Sequence, residues 1–214
     1  MLEYNRGLNL FDAPDIDDGL FIGRDTELEQ MKTVLLPQPT SPTRKVLVLG
    51  GMGGIGKTQL AVTYAKRHGS SYSSVFWLNA SSKTALLTSL RRLAREILPE
   101  AGGQLEDDMM LTQVSAWLSN LENPRWLLVF DNYDDPDQFN IREYFPSVAQ
   151  GSIIITTRQP DGVSGTKIKV RSMAEKEESL RILATRSKRE NVDSGKKTSP
   201  RSRRHLTGRR SGRS

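Results

Sequence analysis

The chain has 214 residues, 36% of them hydrophobic, with 31 Lys+Arg against 25 Asp+Glu, a formal charge of +6 and no cysteine, which suits one globular domain rather than several. Without cysteine there is no disulfide scaffold, thiolate metal site or thiol nucleophile, and His68 and His205 lie too far apart to suggest a zinc pair, so any metal is expected to be held by oxygen. The longest apolar run, residues 126–130, falls far short of the roughly 20 residues needed to cross a bilayer, and the acidic start lacks the apolar stretch of a signal peptide, so a cytoplasmic protein with no membrane span is expected.

Residues 1–19 read as an arm, with a small apolar group at Leu8, Leu10 and Phe11 and then acids through Asp18. A helix is expected to start at Asp25 or Thr26, because either side chain can cap first-turn amides, and Leu28, Met31 and Leu35 follow at helical spacing. Pro37, Pro39 and Pro42 end it in a polar connector, residues 37–43.

From residue 45 short apolar runs alternate with amphipathic ones, the pattern of strand–helix units in a buried parallel sheet. Strands are expected at 46–49, 75–78, 126–130, 152–156 and 168–170. Helices are expected at 58–68, ended by Gly69; at 83–98, with Leu86, Leu90, Leu93 and Ile97 on one face; and at 109–121, with Leu111, Val114, Trp117 and Leu118. A last helix is expected at 173–185, closing a domain of residues 20–185. Residues 186–214 hold 11 Lys+Arg against 2 Asp+Glu, leaving the other 185 residues with 20 against 23. That tail has too little apolar surface to offset its ordering entropy and is expected to be disordered, on a mildly acidic body.

The strongest local signal is Gly50-Gly51-Met52-Gly53-Gly54-Ile55-Gly56-Lys57-Thr58, placed between the first strand and the helix that follows. Residues 51–58 contain the phosphate loop G-x-x-x-x-G-K-[ST]. Glycines let backbone amides close round a phosphate, the helix amino terminus adds partial positive charge, Lys57 reaches the β and γ phosphates, and Thr58 offers a hydroxyl to Mg²⁺. Gln59 continues the cradle into the helix. The metal needs a carboxylate at the end of a neighbouring strand, and Asp131 after the 126–130 strand supplies it in the Walker B position. The next residue is Asn132, which cannot act as a base, so either Asp134 or Asp135 provides a catalytic carboxylate from the same loop or hydrolysis is slow; a simple turn at Asp134-Asp135-Pro136 is the competing reading. Arg158, at the end of the 152–156 strand, is placed to sense a γ phosphate.

These segments in this order resemble the NB-ARC domain of the STAND signalling ATPases, the nucleotide switch of NOD-like and plant-resistance-type receptors. Phe21-Ile22-Gly23-Arg24 resembles the short motif ahead of the phosphate loop that helps hold the adenine, residues 75–79 resemble the second-strand motif, and Asp131-Asn132 in place of a double acid is similar to the fungal branch. The resemblance covers residues 20–183. It implies an α/β P-loop NTPase fold, AAA+/STAND-like, with a five-stranded parallel sheet and helices on both faces. It also implies ADP in a resting state, ATP in an active one, Ile22, Gly23 and Arg24 beside the base, and homo-oligomerisation in a full-length receptor. No G-L-P-L motif or winged-helix histidine of the family is found, and His205 lies outside any such motif. A truncated receptor, or a gene product whose last 29 residues come from a wrong exon or frame, is therefore expected.

Two other classes stay open at this stage. The basic tail would suit salt-dependent nucleic-acid association, although it has no aromatic residue to stack on bases, which disfavours this reading. A small-molecule kinase would require a lid of arginines in the second half of the core. No N-K-x-D guanine motif and no L-S-G-G-Q transporter signature are present, so a GTPase or a transporter ATPase fits poorly.

Overall fold

The computed structural model describes residues 13–14, 16, 23–36, 43–98, 106–120 and 125–171. The residue pair Phe21-Ile22, the expected helix at 173–185 and the basic tail with His205 lie outside the described residues, as do most of the arm and of the proline connector. Five strands, β1 (Lys45–Gly50), β2 (Ser74–Asn79), β3 (Trp126–Asp131), β4 (Ser152–Thr157) and β5 (Thr166–Lys169), form one parallel sheet in the order β2-β3-β4-β1-β5. Between and before them run α1 (Asp25–Leu35), α2 (Lys57–His68), α3 (Lys83–Ile97) and α4 (Asp107–Leu118).

The continuous apolar runs are explained by what lies on each face. Side chains alternate across a strand, and here both sides are covered. Val48, Phe76, Leu128, Phe130, Ile153 and Ile155 pack with Leu86, Leu90 and Leu93 of α3 and Val114 and Leu118 of α4. Their sequence neighbours Leu47, Leu49, Val75, Leu127, Val129 and Ile154 pack on the other face with Leu28, Met31 and Leu35 of α1 and Leu60, Ala61 and Tyr64 of α2. β3 and β4, flanked by strands on both edges, are buried along their whole length. At the outer edge, β5 buries only Ile168 of its four residues.

Several boundaries differ from the sequence reading for identifiable reasons. Neither Asp25 nor Thr26 caps α1. Asp25 is already helical, and the cap is Arg24, in the left-handed region at φ 66°, whose side chain accepts no hydrogen bond from a first-turn amide. α4 begins at Asp107, two residues earlier than expected, because Asp107 and Asp108 place negative charge in its first turn, where the helix dipole favours it. β5 starts at Thr166 rather than at 168, since an edge strand with one buried residue carries little apolar signal. Short 3₁₀ turns at Ile141–Tyr144 and Pro160–Gly162 were not expected from the sequence. Among the described residues no helix is long and apolar enough to cross a membrane.

Candidate nucleotide site

All five strands point the same way, so their carboxyl ends share one edge of the sheet, and the sequence-predicted site residues gather there. The loop between β1 and α2 turns back on itself through Gly56, whose φ of 97° favours a residue without a Cβ. Gly51 is required for a different reason. A Cβ there would sit 2.6 Å from the carbonyl oxygen of Val170. Met52, between them, is 72% exposed.

Lys57 opens α2 and folds back over the loop. Its Nζ donates to the carbonyls of Gly51 at 2.8 Å and Met52 at 3.0 Å, and the residue is 7% exposed. Burial holds its ammonium below the usual lysine range, with Asp134 pushing the other way and Arg158 adding to the depression. A bound phosphate would replace the two neutral carbonyls with a charged acceptor and so relieve the cost of burying the ammonium.

Thr58 and Asp131 meet across the site. The Thr58 hydroxyl donates to Asp131 Oδ1 at 2.8 Å. The two come from α2 and β3, but β3 does not neighbour β1, because β4 lies between them. The expectation of a carboxylate on the neighbouring strand is corrected accordingly. The intervening strand takes part in the site: Thr156 of β4, fully buried, donates its hydroxyl to the same Oδ1 at 2.6 Å and accepts the backbone N–H of Asn132 at 2.9 Å. Asn132 stands at φ 64°, a conformation that Asn tolerates better than most residues.

Beyond Asn132 the two acids diverge. Asp134 Oδ1 accepts the backbone N–H of Arg158 at 2.7 Å, and its Oδ2 faces Arg158 Nε at 2.7 Å. Asp135 instead accepts from Gln138 in an exposed turn over Pro136 to Gln138. Asp134 is thus turned toward Arg158, and the turn follows from the next residue. Arg158 lies beside the loop, with its Cδ 3.9 Å from where a Gly53 Cβ would be.

Ahead of the loop, Gly23 and Arg24 both take positive φ. Arg24 is 8% exposed, and its guanidinium donates to Glu27 Oε1 at 3.0 Å and to the carbonyl of Ile55 at 3.1 Å. Its side chain therefore braces the phosphate loop. From the arm, the carbonyl of Ile16 accepts from Lys66 Nζ at 2.6 Å, and Ile16 lines a cleft of about 420 Å³ with Gly53, Gly54, Gly56, Lys57, Thr58, Gln59, Asn132 and Asp134. A second cleft of about 760 Å³, on the β2 side of Asp131 and Asn132, is lined by Ala13, Pro14, Trp77 and Asn79 among others. Sequence reasoning missed Thr156 and Ile16. A threonine among isoleucines at the end of a buried strand was a signal for the first, whereas one isoleucine in an acidic arm gave none for the second.

The oxygen donors at the site suit a hard divalent cation. Among the described residues no group of three or more His, Asp or Glu stands together, so a cation held by Thr58 and Asp131 would draw its other ligands from phosphate and water.

Comparison with known proteins agrees with this geometry. A nucleotide-binding leucine-rich repeat (NLR)-like protein of Hyaloscypha variabilis is 29% identical over 196 residues, covering 82% of this chain and 20% of that protein. A probable disease resistance RPP8-like protein of Arabidopsis thaliana is 27% identical over 151 residues, covering 68% of this chain and 16% of that one. The chain thus spans a fifth or less of the length of these relatives. In fold it is similar to a Signal Transduction ATPase with Numerous Domains (STAND) protein with a tetratricopeptide repeat sensor from Pyrococcus horikoshii, at TM-score 0.51 and 20% identity, covering 84% of this chain and 27% of that one. The NB-ARC domain family matches residues 24–193, most of the sequence; the chain belongs to the NB-ARC domain family, with the α/β fold of the P-loop AAA+ and STAND ATPases.

Proposed function

We propose that this nucleotide-binding signalling domain is a switch that holds ADP or ATP on the 51–58 loop, with Mg²⁺ held by Thr58 and Asp131, and reports the γ phosphate through Arg158. The observation that carries the reading is that Lys57 and Thr58 share one cleft and that Thr58 is joined to Asp131 by a hydrogen bond between residues 73 positions apart. The amides of the loop and the amino terminus of α2 face the phosphates, and Lys57 exchanges its carbonyl partners for phosphate oxygens. The cation, when bound, offsets charge on the β and γ phosphates. Gly23 flanks the base, while Arg24 keeps the loop in shape from behind.

Hydrolysis at this site is slow. Asn132 takes no proton, Asp134 has both carboxylate oxygens turned to N–H groups of Arg158, and Asp135 is occupied in its turn. Of the two acids expected to serve an attacking water, Asp134 is thus paired with Arg158 and Asp135 with Gln138. In a longer receptor, homo-oligomerisation through this domain is the output that the nucleotide state would control.

Isothermal calorimetry with Mg-ADP and Mg-ATP tests the reading. Wild type binds both, and Lys57→Ala abolishes binding; equal affinities for the two proteins would overturn the reading. At 100 times its dissociation constant the nucleotide should add about 2.7 kcal/mol to the folded state, a rise of roughly 5–10 °C in melting temperature for a domain of this size. ADP recovered from the purified protein would identify the resting ligand.

A further inference from the structure

We infer that Asp134 is a positioning residue, which orients Arg158 so that its forked end faces the γ phosphate. This rests on the nucleotide reading above. The grip is two-point: one carboxylate oxygen takes the Arg158 backbone N–H and the other faces Nε, each at 2.7 Å. A contact at Nε leaves the two terminal nitrogens available to hydrogen-bond a ligand, and among the described residues Nη1 and Nη2 of Arg158 donate no hydrogen bond.

The surroundings support the assignment. Asp134 lines the same cleft as Lys57 and Thr58. Its carbonyl accepts from Gln159 Nε2 at 3.2 Å, so two hydrogen bonds and the ion pair tie the loops after β3 and β4, and the Gln159 backbone N–H is itself held by Thr157 Oγ1 at 2.9 Å. Arg158 is still 59% exposed against 23% for Asp134. A side chain this exposed would otherwise sample many rotamers, and the carboxylate removes that freedom before the ligand arrives. Beyond the desolvation that depresses it, Lys57 feels Asp134 and Arg158 with opposite sign, so the pair stands within electrostatic reach of the ammonium that meets the phosphates.

Two substitutions separate positioning from folding. Asp134→Asn keeps an oxygen for the Arg158 backbone N–H but presents an amide N–H to Nε, so the turn survives and the side-chain grip does not. Arg158→Lys keeps the charge but has no Nε edge to hold and no fork. Calorimetry would be run with Mg-ADP and with the Mg complex of the β,γ-imido analogue of ATP, on wild type, both single variants and the double variant, after unfolding curves show that each is folded. The expected result is that each single variant lowers the affinity ratio of the ATP analogue over ADP by roughly fivefold or more, and that the double variant lowers it no further. Three results would overturn the inference: an unchanged or raised ratio in Asp134→Asn while Arg158→Lys falls, equal weakening of both nucleotides in Asp134→Asn, or additive losses in the double variant. Failure of wild type to bind either nucleotide is a separate outcome, and it would overturn this assignment together with the reading beneath it.

Discussion

Thr156→Val tests how the Asp131 carboxylate, the proposed metal ligand, is held. Thr156 is fully buried, and its hydroxyl serves two groups at once, donating to Asp131 Oδ1 at 2.6 Å and accepting the Asn132 N–H at 2.9 Å. Valine has nearly the same shape, so no cavity forms and the change isolates the hydroxyl. A hydrogen bond to a charged group contributes about 1.5–3 kcal/mol, and a buried N–H left unsatisfied costs about 1–3 kcal/mol. Because Asp131 keeps the Thr58 hydroxyl as a second donor, a net loss of roughly 2–5 kcal/mol is expected. At about 2–4 °C per kcal/mol for a domain of this size, the melting temperature should fall by at least several degrees. Thr156→Ser is the control: it keeps the hydroxyl, loses one methyl group and should cost only about 1 kcal/mol. Urea unfolding of the three proteins without nucleotide measures the difference directly. If Val and Ser prove equally stable, the hydroxyl is not what holds this edge of the site, and the account of Asp131 fails.

The other predictions concern the loop and its titration. Arg24→Met removes the guanidinium from Glu27 and from the Ile55 carbonyl; a loss of about 1–3 kcal/mol and a smaller rise in melting temperature on adding Mg-ADP should be seen in thermal unfolding, and an unchanged rise would show that the brace does not serve the loop. Gly51→Ala sets a Cβ 2.6 Å from a backbone oxygen, whereas at Gly53 the nearest neighbour is 3.9 Å away on a flexible side chain; calorimetry should therefore find Mg-ADP binding lost in the first and largely kept in the second. Lys57 must be protonated to meet phosphate, and burial lowers its pKa. Nucleotide affinity should accordingly begin to fall at a pH below the ordinary lysine value of 10.5, a decline that calorimetry in alkaline buffers would follow and that Lys57→Arg would abolish. Tyr64 and Tyr72 share a buried hydroxyl pair at 2.8 Å, and burial raises both, Tyr72 to about 12. The folded state therefore binds protons that the unfolded state releases above pH 10, so this pair costs nothing below pH 10 and destabilises the fold as pH rises toward 12. Tyrosine ionisation followed by absorbance should coincide with unfolding, and independent titration near 10 would contradict the buried pair.

The parts of the site that could be read in advance are those set by local chemistry. Gly51 to Thr58 is a contiguous loop whose residue types follow from wrapping a phosphate, and Asp131 follows directly on five apolar residues that suit a strand buried on both faces. Strand order is not local. Nothing in the runs at 126–130 and 152–156 says which one pairs with β1, and the answer, β4, brings Thr156 between the loop and Asp131. The same limit applies to Arg24. Its motif could be read, but its left-handed backbone and its 3.1 Å bond to Ile55 depend on where α1 lies against the loop. A short edge strand such as β5, with one buried side chain, carries too little apolar patterning to set its own first residue.

Asn132 joins these points. In the sequence it stands where a second acid would activate water, and by that measure it is a loss. In the fold it is the residue that turns the chain off the end of β3 at φ 64°, with its N–H fixed by Thr156 and with Tyr133 bound next to it through the Thr156 carbonyl at 2.9 Å. A longer or β-branched residue would be strained in that region by about 1 kcal/mol or more. Asn132 lines both clefts at the sheet edge, so a polar, uncharged side chain there leaves Asp131 as the carboxylate common to the metal position and the β2 side. The turn made by Asn132 also sets where Asp134 emerges, two residues on, to meet Arg158. On the proposed function, a site of this construction would distinguish nucleotides by how their phosphates engage Arg158 and Lys57 and would turn them over slowly, which is the behaviour required of a switch whose state must outlast a single binding event.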